Sequence, residues 1–101
     1  MATDGIICFQ NPRNPLMVRA GTTRHWMMNY SDLKLTYKLS MQNPNSSFVI
    51  DPRQVSGEIA ERGQISIIIT RKPGRAQEDN MLIEYSGGLT GRTLVRVVPI
   101  E

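Results

Sequence analysis

The sequence predicts an all-β protein, a seven-stranded immunoglobulin-like β-sandwich with a proline-kinked first strand. Three observations predict it. Short β-rich runs recur about every 8–12 residues, each closed by proline, glycine, asparagine or aspartate. No stretch longer than a few residues repeats at the helical period, and the nearest, from Ala76 to Met81, is at most one turn. The chain has 101 residues, 40% hydrophobic and 21% charged, too apolar for disorder and long enough for one core. One domain, residues 1–101, is expected.

The elements follow in order. Gly5 to Phe9 is apolar and β-prone, and Asn11-Pro12-Arg13-Asn14-Pro15 interrupts it, because neither proline can donate to a ladder. Leu16 to Arg19 resumes the strand beyond this kink, in position to change sheets. Thr23 to Asn29 is next, ended by Tyr30-Ser31-Asp32. Leu33 to Met41 alternates, with Leu33, Leu35, Tyr37, Leu39 and Met41 on one face and Lys34, Thr36, Lys38 and Ser40 on the other. Phe48 to Ile50 lies between the turns Asn43-Pro44-Asn45-Ser46 and Asp51-Pro52. Val55 to Ile59 is a weak run, and Glu61-Arg62-Gly63 turns into Gln64 to Arg71, where Ile65, Ile67 and Ile69 mark the core face. Met81 to Tyr85 and Thr93 to Val98 close the set, joined through the glycine-rich Gly87 to Gly91.

Composition excludes several classes. Cys8 is the sole cysteine, which forbids an internal disulfide, and no Cys/His group could hold zinc. The longest apolar run is Ile67-Ile68-Ile69, and the first residues carry no signal-peptide pattern, so a reducing, cytoplasmic location without membrane insertion is expected. The sequons at Asn29 and Asn45 then read as chance. The charge is 12 − 9 = +3, its densest cluster Arg71-Lys72-Pro73-Gly74-Arg75 with no aromatic residue inside it. That is a solvated loop rather than a nucleic-acid surface, which interleaves cations with stacking platforms.

Catalytic chemistry finds no footing. His25 and Cys8 are the only thiol–imidazole combination, with nothing in their spacing to join them. Glu78-Asp79 is explained by capping or a surface ion pair, and Gly87-Gly88 with Gly91 lacks the Lys-Ser/Thr of a phosphate loop. A non-enzyme is expected, with no cofactor, metal or small-molecule substrate. The bulky residues of one strand are more informative. Alternation puts Trp26, Met28 and Tyr30 on one face and His25, Met27 and Asn29 on the other. Pattern alone leaves both facings open: Trp26 is either the central core aromatic or an outward anchor for a partner.

The stretch from Thr22 to Asp32 resembles the second strand of the major sperm protein domain, in which alternating apolar residues lead into an Asn-x-Ser turn. Leu35 to Ser40, Val49-Ile50-Asp51-Pro52, Gly57-Glu58-Ile59, Gln77 to Asn80 and the ending Val98-Pro99-Ile100-Glu101 are also similar to family segments. A bare domain resembles the small sperm-specific nematode members. The resemblance implies a seven-stranded immunoglobulin-like sandwich acting as a non-catalytic protein-interaction module of sperm, in cytoskeleton assembly or signalling, with self-association among its options. It also implies that His25 and Met27 point inward and that Trp26 and Met28 form an outer, partner-binding patch.

The family's receptor branch binds acidic peptides through lysines and a methionine on one sheet face. Carried over by position, its first lysine falls on Ser40, its neighbouring threonines on Met41 and Gln42, another lysine on Asn80 and its methionine on Leu82. Two cationic anchors are therefore replaced, which weakens charge-assisted contacts, with Lys38 and Arg96 as candidate substitutes. The alternative reading is an acidic-peptide receptor on this weakly basic face.

Overall fold

The structure, a computed structural model, describes residues 6–9 and 15–100. Nine strands occur among them: β1 (Ile7–Phe9), β2 (Leu16–Val18), β3 (Gly21–Asn29), β4 (Leu35–Met41), β5 (Phe48–Ile50), β6 (Ser56–Ile59), β7 (Gln64–Arg71), β8 (Asp79–Gly87) and β9 (Gly91–Pro99). One short 3-10 turn, Pro52–Gln54, follows β5. The strands form two layers, one ordered β1-β3-β7-β5 and the other β2-β9-β8-β4-β6. The fold is an all-β, immunoglobulin-like sandwich, but seven strands was too few. The two halves of the expected first strand pair in different sheets, β1 antiparallel to β3 and β2 parallel to β9, so they count separately. The other runs, including the short edge strands β5 and β6, each form one strand, which brings the number to nine. Residues 10–14, where the proline kink was expected, lie outside the described residues.

Side-chain alternation fills the space between the layers. Met27 of β3, Ile67 and Ile69 of β7, and Met81 and Ile83 of β8 are fully buried. Burial of each such side chain contributes about 1.5–3 kcal/mol. Leu35, Tyr37 and Leu39 of β4 face the same core, while Thr36 and Lys38 face water. Leu33, expected on that core face, is 42% exposed because it lies within the bend at residues 31–33, ahead of the strand that starts at Leu35. It packs instead over Gly88, where an added Cβ would lie 2.6 Å from Leu33 Cδ1. The stretch nearest to a helical period, residues 76–81, holds no helical turn, since Asp79 already starts β8.

Two polar side chains fix the ends of the sandwich. Buried Asn29 donates from Nδ2 to the carbonyls of Leu33 (2.8 Å), Ala60 (3.1 Å) and Ile59 (3.3 Å), and its Oδ1 accepts from the Ser31 N–H (2.9 Å) and hydroxyl (2.7 Å). This joins the end of β3 to the β6–β7 turn, which Arg62 completes at φ 55. At the other end, Arg71 Nη1 donates to Ile100 O (2.9 Å) and Val18 O (3.4 Å), crossing from one sheet to the other.

Candidate functional site: the outer face of the four-stranded sheet

The Asn29 contacts set the register of β3 and therefore the facing of everything before it. Met27 and Asn29 point inward, and Trp26, Met28 and Tyr30 point outward. Trp26 is 43% exposed and Tyr30 45%, with Met28 half-buried between them. The Tyr30 hydroxyl donates to Met28 Sδ at 3.2 Å, which holds these side chains against each other. Together with Gln64 they line an open groove. Met28 lies in register between Cys8 of β1 and Gln64 of β7, and Trp26 lies opposite Ser66. A serine covers little, so the indole stays uncovered on the β7 side. Among the described residues no charged side chain lines the groove, so it is suited to apolar and hydrogen-bonding contacts rather than to ionic ones.

His25 takes the inward side of β3, half-buried, with Nε2 2.7 Å from Thr23 Oγ1. Burial pushes its pKa below the ordinary 6.5. Cys8 is buried on β1 in register with Met28, the opposite facing from His25 and three residues along β3, so the two cannot form a thiol–imidazole pair. Among the described residues no three His, Cys, Asp or Glu side chains gather as a metal site, and no helix is long and apolar enough to cross a membrane.

The residues expected to read an acidic peptide divide between two faces. Ser40 and Leu82 are direct cross-strand partners, as are Asn80 and Arg96, and with Lys38 all five lie on the outer face of the five-stranded sheet. Met41 does not join them. It continues the inward set of β4, pairs with Met81 and packs against the core, because odd-numbered residues of this strand face inward. Gln42 lies just past the strand, exposed, and its N–H donates to Asn80 O at 2.9 Å. Both cations have a carboxylate for a neighbour. Arg96 forms a two-pronged ion pair with Glu78, whose carboxyl it holds below the usual carboxylate range through that hydrogen bond, and Glu84 stands opposite Lys38. Asp79 turns inward instead and accepts from the N–H groups of Asn80 (2.7 Å) and Asn43 (3.3 Å). An incoming acidic segment would meet carboxylates beside both cations.

Alternation marks Asn29 only as a face position at the start of an Asn-x-Ser turn, not as the group that ties β3 to the β6–β7 turn. Its signal was present in the Asn-Tyr-Ser turn, where an asparagine two residues before a serine closes on the backbone.

No family model matches the chain. A Caenorhabditis elegans protein of uncharacterised role is 30% identical over 79 residues, which are 78% of this chain and 66% of that protein, so the chain spans slightly under two-thirds of its length. Sperm-specific class P protein 31 of C. elegans is 27% identical over 75 residues, 74% of this chain and 67% of its own. Among solved structures, that of WR4, a C. elegans major sperm protein family member, superposes with a TM-score of 0.70 at 22% identity, covering 94% of this chain and 98% of its own.

Proposed function

We propose that the chain is a member of the major sperm protein family, similar to the sperm-specific class P proteins, and a non-enzymatic protein-interaction module of sperm that docks partners in cytoskeleton assembly or signalling. The observation that carries this reading is the groove of Trp26, Met28 and Tyr30, bulky apolar side chains left on an outer sheet face that the core does not need. Its work is done in the cytoplasm, by surface complementarity alone. The acidic-peptide reading gains no support from the second face, where Arg96 is already paired and Met41 points inward.

Capture of partners from sperm extract by wild-type protein and by Trp26→Ala tests the proposal. Trp26 is 43% exposed, so the variant should stay folded, within about 1–2 kcal/mol of wild type in denaturant. Capture should be lost in the variant and should persist in wild type as salt is raised, since contacts through this groove are not ionic. Unchanged capture by Trp26→Ala refutes the proposal, and capture that fades with salt supports the basic face instead.

A further inference from the structure

β7 is 8 residues long, but β5 pairs with only Ile69, Thr70 and Arg71. The adjoining part of that edge is closed by groups that are not strand. The Asp51 N–H donates to Ile68 O at 3.0 Å, while the Gln54 carboxamide accepts from the Ile68 N–H at 2.7 Å and donates to Ser66 O at 2.6 Å. Gln54 thus stands where the peptide group of a neighbouring strand would stand.

Backbone groups alternate sides along a strand, so Gln64 and Ser66 present theirs on the same side as Ile68, away from β3. Gly63, of the other parity, gives its carbonyl to the Asn29 N–H of β3 at 2.9 Å. Among the described residues, the N–H and C=O of Gln64 and the N–H of Ser66 have no hydrogen-bond partner. This short open edge adjoins the Trp26 groove, since Gln64 belongs to both.

We propose that the Gln64–Ser66 edge of β7, together with the groove of Trp26, Met28 and Tyr30, docks an extended, uncharged peptide segment as an added strand. The inference rests on the docking role proposed above and names the partner's chemistry. Two donors and one acceptor in strand spacing are satisfied together only by another extended backbone. The residue of that backbone opposite Ser66 would sit about 10 Å from Trp26, two strand spacings away. A bulky apolar side chain there reaches the indole across the small serine. A charged one would lose water against Trp26, Met28, Tyr30 and Gln64, none of which offers a counter-ion.

The probe is a blocked peptide of alternating threonine and valine with one central leucine, titrated into the whole chain. Amide exchange at Gln64 and Ser66 is followed by NMR, alongside Trp26 fluorescence. Saturating peptide should slow exchange at both amides about tenfold or more and shift the fluorescence. The same peptide N-methylated at alternate amides should not bind, and Ser66→Pro should lose binding while folding, because that N–H faces outward from the sheet. Absence of saturable binding overturns the inference. So does binding that the N-methylated peptide reproduces, which leaves the groove's docking role standing without the edge. Slowing of the two amides with protein concentration alone would assign the edge to a second copy of the chain and overturn the peptide. Binding that survives Trp26→Ala but not N-methylation removes the groove, and with it the proposed function, from the site.

Discussion

His25 and Asn29 face the same interior from the same strand, and their costs differ. His25 is half-buried and its pKa is lowered by burial, so the folded state holds a proton less tightly than the unfolded chain. The unfolded chain then binds more protons below its ordinary pKa of 6.5. Stability from this residue is complete above that pH and is lost as pH falls toward the lowered folded value. Denaturant unfolding at pH 7.5 and 5.5 should show the decline, and His25→Gln should flatten it. An equal decline in the variant would place the titration elsewhere. Asn29 is 1% exposed and serves three carbonyls and two donors. Asn29→Ala leaves these groups short of partners in a place water does not reach, so unfolding free energy should drop by about 2–4 kcal/mol. A loss below about 1 kcal/mol would mean that the β3–β6 junction is held by other contacts.

Strands β3, β4 and β7 show how far alternation carries. In β4 it placed Leu35, Tyr37 and Leu39 in the core and Thr36 and Lys38 outside, as found. It equally required Met41 to face inward, which conflicts with the outer role that positional carry-over from the receptor branch gave it. Period-2 geometry prevails there, because a strand cannot turn one residue over without a bulge. In β3 both sets of side chains are bulky, so alternation defined two faces without saying which was inside. The bond pattern at Asn29 decides that question through contacts 4 to 31 residues away in sequence. The open edge of β7 was invisible for a related reason. Sequence shows that Gln64 to Arg71 is a strand, but β5 being short and Gln54 lying against Ser66 are facts of pairing.

For the whole molecule, closure of the sandwich depends on cross-sheet ties besides the core, and Arg71 is one of them. It ends β7 in the four-stranded sheet and bonds the carbonyls of Val18 and Ile100, which flank the parallel β2–β9 pairing in the other. Arg71 is 7% exposed, so Arg71→Leu should cost about 2–4 kcal/mol and raise hydrogen exchange first along β2. Exchange that rises uniformly would show that the tie is not local to that edge. In the sequence Arg71 looked like the first member of a solvated basic cluster, and nothing near it in the chain says otherwise. Local information by itself determined the all-β class, most strand positions, the turns and the inward set of each strand with one wet face, because side-chain periodicity and the backbone limits of proline and glycine act over a few residues. Tertiary structure alone decided the count of nine strands, the outward facing of Trp26, the burial of Arg71 and the unfilled stretch of the β7 edge. Each of these depends on which distant segment supplies a hydrogen-bond partner or a covering side chain, and such partners are chosen only when the two sheets close.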